Sequence, residues 1–254
     1  QQVEESLNRL QKQNYIARNG DIYQFLTDEE QDIAREISNQ NIDASAVISQ
    51  VCKTIFDDIY TTKKYRYSKN DYNLDFDFDK TVDSQNHGNT TGGMKLRFVT
   101  EAFDDASDLK LIADSKGYEA ICKLSTEYKI FNDIENALKI DKFIKQKNVN
   151  QFPESIKKII DNKQKEKSRL LNEAEDKIRD AIVHGKFYID GEIVSIPGTS
   201  AKTVLDKALE TLVEHTYSGI TLIDTPVNTD ADIRNILSGK SVSLDGMEPD
   251  KGAM

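Results

Sequence analysis

The run Asp71-Tyr72-Asn73-Leu74-Asp75-Phe76-Asp77-Phe78-Asp79 places carboxylates at alternate positions, an arrangement of oxygens that a divalent cation could use. A calcium loop requires glycine at its sixth position and a bidentate glutamate at its twelfth, and here those positions hold Phe76 and Val82. Strand alternation accounts for the same residues: Asp75, Asp77 and Asp79 fall on one face, and Leu74, Phe76 and Phe78 on the other. The expectation is therefore a half-buried strand with a charged outer face. The competing reading is a metal-dependent nucleic-acid-processing surface on that face, which needs a further carboxylate or lysine from another element.

Tyr60, Lys63, Lys64, Tyr65, Arg66, Tyr67 and Lys69 form a dense basic and aromatic patch, in which tyrosines could stack bases while cations meet phosphates. A lysine-guarded edge strand explains the patch without any ligand. Lys63, Lys64 and Arg66 are the candidate nucleic-acid-binding residues here. Arg9, Lys12 and Arg18 join them from the N-terminal region, although Glu4 and Glu5 nearby weaken the attraction. Gly239-Lys240-Ser241 resembles the end of a phosphate-binding loop, but the glycine required five residues earlier is Arg234. The three histidines, His87, His184 and His215, are scattered, and Cys52 and Cys122 lie far apart without metal-ligand spacing. No residue is assigned a catalytic or metal-binding role, and no cofactor is expected in the segment.

The elements that position these groups follow from periodicity. Val3, Leu7 and Leu10 mark a helix over 3–13, and Asn19-Gly20 is the turn of a hairpin between 15 and 26. A helix running into a hairpin is the back half of a winged helix-turn-helix. Thr27 and Glu30 form a capping box for a helix over 28–40, and an apolar stripe from Val47 to Ile59 marks another over 44–60. Strands are predicted at 62–67, 73–79, 94–100, 109–114 and 118–123, with Lys116-Gly117 as a hairpin turn between the last two. A Gly/Asn/Thr-rich loop occupies 83–93. Helices follow over 126–146 and from Pro153 to 184, with the polar stretch 161–169 either a solvated arm or a break. Asp190-Gly191 makes a hairpin of 187–194, and helices are predicted over 200–216 and 229–238, before a loose Gly/Asp/Ser-rich tail. The fold class is α+β.

Across 254 residues the chain carries 34 basic against 44 acidic groups, a net charge of −10, which argues against non-specific nucleic-acid binding by the whole surface. It begins Gln1-Gln2-Val3 without a signal sequence, and no apolar run approaches the ~20 residues of a membrane span. Two isolated cysteines suit a reducing compartment. The expectation is a soluble cytoplasmic piece cut from a longer chain, divided into 1–27 (half winged helix), 28–150 (α+β domain) and 151–254 (helical arm, hairpin and helices).

Three sets of residues carry a family resemblance. The first runs Asn14-Tyr15-Ile16, Gly20-Asp21-Ile22-Tyr23, Phe25 to Ile33 and Arg35-Glu36-Ile37. The second comprises Met94 to Thr100, Glu119 to Leu124 and Lys142-Phe143-Ile144-Lys145, and the third is Phe187 to Glu192. In order and spacing these resemble the BrxC/PglY family of P-loop ATPases from BREX phage-resistance systems, across most of the chain. None of them is a catalytic motif. The resemblance implies an internal segment of a large bacterial cytoplasmic ATPase that works beside a DNA methyltransferase. ATP and Mg²⁺ would belong to a domain upstream. The partners implied are other BREX-system proteins, sister subunits and DNA, with no membrane.

Overall fold

The computed structural model describes residues 2–13, 15–19, 22–69, 74–147 and 151–220, together with 231 and 234. In chain order the elements are α1 (Gln2–Lys12), β1 (Ile16–Asn19), β2 (Ile22–Phe25), α2 (Asp28–Ser38) and α3 (Ala44–Lys53), which continues into a π-helical turn (Thr54–Ile59). Next come β3 (Lys64–Tyr67), β4 (Leu74–Val82), β5 (Gln85–His87), β6 (Met94–Val99), α4 (Asp108–Asp114) and β7 (Glu119–Lys123). The remainder comprises α5 (Ile130–Gln146), α6 (Glu154–Val183), β8 (Lys186–Ile189), β9 (Glu192–Val194) and α7 (Ala201–Thr216). The expected helix over 229–238, the Gly239-Lys240-Ser241 triplet and the tail lie outside the described residues, as do Gly20 and Asp21 of the first hairpin turn.

Two compact units emerge, each built from two stretches of chain: Gln1–Thr54 with Glu127–Arg179, and Ile55–Thr126 with Asp180–Met254. The first unit is mainly helical. Ile33 and Ile37 of α2 pack with Ala137, Ile140 and Phe143 of α5 and with Ile159, Ile160 and Leu170 of α6. The start of α2 is fixed by its capping box: Thr27 Oγ1 accepts from the Glu30 amide at 3.3 Å, and Glu30 Oε2 accepts from the Thr27 amide at 2.9 Å. The polar stretch 161–169 is not a break, because α6 runs uninterrupted over 30 residues. Ion pairs such as Lys163–Glu166 and Arg169–Glu173 line its wet side.

The second unit is a mixed sheet with the strand order β3-β4-β6-β7-β8-β9, and β5 pairs with β4 off that path. β4, β6 and β7 are mutually parallel, and the other neighbours are antiparallel. One expectation is corrected here. Residues 109–114 are not a strand and Lys116-Gly117 is not a hairpin turn, since Asp108–Asp114 is the helix α4. A tight hairpin joins antiparallel strands, whereas parallel β6 and β7 require a crossover, which α4 supplies. Its leucines and alanine favour a helix over a strand in any case. Gly117, at φ 98°, then turns the chain into β7. The Asp190-Gly191 hairpin forms as expected, with both residues left-handed at φ 51° and 77°. It adds β8 and β9 to the edge of β7.

Alternation sorts the sheet into two faces. Tyr65, Tyr67, Phe78, Met94, Leu96, Phe98, Cys122 and Phe187 share one buried face, on which α7, with Val204, Leu205, Ala208, Leu209, Leu212 and Val213 buried, meets β3, β7 and β8, and Phe56 of the π-helical turn meets Phe98. On the opposite face Val99, Ile121 and Tyr188 pack with Leu111 of α4.

Candidate functional site

The acidic and basic candidates occupy neighbouring strands in direct register. Lys64 stands opposite Asp77, and Arg66 opposite Asp75. Arg66 donates from Nε to Asp75 Oδ1 at 2.8 Å and from Nη2 to Oδ2 at 3.1 Å, a two-pronged pairing that matches the planar guanidinium to the carboxylate. The guanidinium holds the Asp75 carboxyl below its ordinary range. Lys64 Nζ lies 3.2 Å from Asp77 Oδ2. The residues put forward for phosphate contact and those put forward for metal binding thus neutralise one another across the strands.

Asp79 continues the acidic row but turns to a different task. Its Oδ1 accepts from the Thr91 amide at 2.5 Å and the Thr91 hydroxyl at 2.9 Å, and its Oδ2 accepts from the Gly92 amide at 3.0 Å. Burial raises its pKa, but these donors outweigh that effect and leave it lowered. Asp79 therefore pins the glycine-rich loop to the sheet. Among the described residues, no group of three His, Cys, Asp or Glu side chains converges to hold a metal ion.

The tyrosines of the basic patch are not available for base stacking. Tyr60, Tyr65 and Tyr67 are buried against α7. The Tyr60 hydroxyl donates to Asp206 Oδ1 at 2.7 Å, and the Tyr67 hydroxyl donates to Glu214 Oε1 at 3.0 Å. Burial, followed by these acidic acceptors, raises the pKa of both phenols. Lys69 bridges Glu210 and Glu214 at 2.9 and 2.7 Å. The patch is a seam that fastens β3 to α7. Lys63 stands exposed just before it.

Arg9 and Arg18 belong to the helical unit, as does Lys12, whose side chain lies outside the described residues. Arg9 is exposed on α1, and the Arg18 guanidinium lies 5.6 Å from the ring centre of Tyr23, its cross-strand partner. A cleft of about 920 Å³ in this unit is lined by Arg18, Glu30, Lys139, Lys163 and Glu166 among others, a wall of mixed sign. The histidines have local partners. His87 lies 3.1 Å from Asp57 and stacks on Phe56, His184 Nδ1 lies 2.9 Å from the Asp180 carbonyl, and His215 Nδ1 lies 3.1 Å from Asp190.

Two groups escaped the sequence reading. Arg97 sits between Asp114 at 3.4 Å and Glu119 at 3.6 Å, with its guanidinium 4.7 Å from the Phe103 ring centre. Asp83 is buried at the end of β4 in a left-handed conformation, accepting from the amide and hydroxyl of Thr100. The signal for Asp83 was the continued alternation Phe78, Lys80, Val82, which extends the strand past its expected end and delivers an aspartate to the turn.

Among the described residues no helix is long and apolar enough to cross a membrane. No solved structure matches the chain. Residues 40–212, about two thirds of the chain, match the family model described as the BREX ATP-binding protein BrxC fourth domain with a six-stranded β-sheet. The six strands on the main path of the sheet all fall within those residues. The chain therefore belongs to the BrxC family of the BREX phage-defence system, with its fourth domain at residues 40–212.

Proposed function

We propose that this segment is a non-catalytic connector and interaction module of a bacterial phage-resistance ATPase, acting in the cytoplasm through contacts with other BREX-system proteins. The observation that carries this reading is the cross-strand neutralisation of Lys64 and Arg66 by Asp77 and Asp75, beside tyrosines buried under α7. Such groups serve packing and leave little for bond-breaking.

ATP, which the family name implies, does not fit the residues described. A triphosphate is cradled by a glycine-rich turn from a strand into a helix N-terminus. The crossover from β6 to α4 has no glycine and carries Glu101, Asp104 and Asp105, which would repel phosphate. At the start of α7, Ala201-Lys202-Thr203 comes nearest to the motif, but Ser200 already caps the helix and Lys202 pairs with Asp206 further along it. On this reading ATP and Mg²⁺ belong to the upstream part of the parent.

Residues 1–27 take the role of the back half of a winged helix, and any DNA contact falls to Arg9, Lys12, Arg18 and Lys63. In the full-length protein, residues 40–212 would be exchanged for an unrelated folded domain. ATP turnover should stay within about twofold, while co-purification of the other BREX proteins is lost. Collapse of turnover with partners retained would overturn the proposal. So would a DNA gel shift of the unaltered protein that disappears in K64E/R66E.

A further inference from the structure

We propose that Lys80 is an acylation site, its amine seated between Phe56 and Phe78 beside the Asp57–His87 pair and taking the acyl group of an acyl phosphate drawn in by Lys63. These residues all belong to the sheet unit. The π-helical turn after α3 presents Phe56 and Asp57, and such turns recur at functional sites. The pairing of β4 with β5 sets Lys80 directly opposite His87. Lys80 Nζ lies 5.4 Å from the ring centres of both Phe56 and Phe78, and His87 stacks on the same Phe56 ring at 5.3 Å. Lys64, Arg66, Lys69, Lys95 and Arg97 each meet a carboxylate, whereas Lys80 is partly buried and meets rings. An aromatic face attracts an ammonium but offers its N–H groups no oxygen.

The neighbours of this amine supply what acyl transfer needs. Burial pushes the Lys80 amine below the usual lysine range, against the pull of the Asp57 carboxylate and with the help of the Lys63 charge. Asp57 Oδ1 lies 3.1 Å from His87 Nε2, which keeps the proton on that nitrogen and leaves the Nδ1 lone pair to act as a base. The Asp57 and His87 side chains are 44% and 28% exposed, so a small reagent reaches them. Lys63 is exposed and directly precedes β3, whose register leads from the Lys64–Asp77 pair towards Phe78, where its charge meets the phosphate of the donor. The amine attacks the acyl carbon, a C–N bond forms, and the C–O bond to phosphate breaks with its electron pair. The amine proton passes to His87 and on to solvent. The product is a neutral amide, which relieves the burial of an uncompensated charge between two rings. This self-modification is independent of what the fourth domain contacts and stands or falls apart from the proposed function.

The test treats the full-length protein with acetyl phosphate and follows acetylation of each lysine by peptide mass spectrometry. The exposed Lys53 and Lys207 serve as references within the same chain. Lys80 should be acetylated at least about tenfold faster than either, the lower end of what a positioned base contributes. Excess inorganic phosphate should slow Lys80 and leave the references unchanged. His87→Asn should bring Lys80 down to about the reference rate without moving Lys53 or Lys207, a selectivity that a loss of packing would not produce. A Lys80 rate at or below the references would show that burial only hides the amine and would overturn the proposal. So would a Lys80 rate that ignores phosphate or survives H87N. The comparison within the unaltered chain needs no variant, so it decides the matter even if H87N folds poorly.

Discussion

Asp83 allows charge and hydrogen bonding to be separated at one buried position. The residue is 6% exposed, at φ 52°, with Oδ1 2.8 Å from the Thr100 amide and Oδ2 2.7 Å from the Thr100 hydroxyl. Burial raises its pKa above the ordinary carboxylate range, and the Thr100 donors offset this only in part. The sign follows from linkage. A carboxyl whose folded pKa is raised favours the folded state in acid, and that stability is lost as pH climbs from about 3.9 through the raised value. Asp83→Asn keeps the amide bond to Oδ1 and lets Nδ2 donate to the Thr100 oxygen, while asparagine tolerates the left-handed backbone. At pH 7 D83N should therefore be more stable than the parent by on the order of 1 kcal/mol, roughly 2–4 °C in melting temperature. The gain should shrink towards zero as pH falls through the raised value to the ordinary one of about 3.9. Asp83→Ala strands the buried Thr100 amide and places alanine at positive φ. It should cost about 3 kcal/mol, or roughly 6–12 °C. Thermal melts of the three proteins from acid to neutral pH decide the matter. If D83N falls as far as D83A, or if its offset does not change with pH, the negative charge itself holds the turn and the reasoning fails.

Gly185→Ala should destabilise by about 2 kcal/mol, seen as a loss of roughly 4–8 °C, because its Cβ would lie 2.9 Å from Cys122 Sγ and 3.0 Å from the Lys123 carbonyl. Adding Cys122→Ala should recover only part of that loss, since the carbonyl contacts remain. Gly191→Ala should cost about 1 kcal/mol in denaturant titration, because φ 77° disfavours a side chain and the new methyl would crowd Lys116 at 3.1 Å. Thr27→Ala should also cost about 1 kcal/mol by removing half of the capping box, with faster amide exchange confined to the first turn of α2.

Local chemistry was the most legible part of the fold. Thr27 and Glu30 announced α2, Asp190-Gly191 announced the β8–β9 hairpin, and the stripe Val204 to Val213 announced α7, each through contacts within a few residues. What failed to read was set by distant pairing. Leu109 to Asp114 alternates well enough for a strand, and only the parallel partnership of β6 with β7 demands that the segment cross over as a helix. The division into units is equally non-local, because α5 and most of α6 pack with α2 and α3 while the strands between them build a sheet. At the candidate site, the strand character of 74–79 and its charged face were legible. That Asp75 and Asp77 meet Arg66 and Lys64 depends on a register that no single strand encodes. The burial of Tyr65 and Tyr67 was hidden for the same reason, since α7 arrives some 140 residues later in the sequence.

The sheet's late completion bears on how the protein is made and on where it can be cut. β7 ends at Lys123, and its antiparallel neighbour begins at Lys186, so one side of β7 stays without its native neighbour while roughly sixty residues are translated. At about 5–20 residues per second that wait lasts roughly 3–13 s, with Ala120 to Lys123 offering free amides and carbonyls to any passing strand. Expression fragments that stop before residue 190 would make this exposure permanent. A boundary beyond α7 is the one to choose for keeping the nascent sheet from pairing with its siblings.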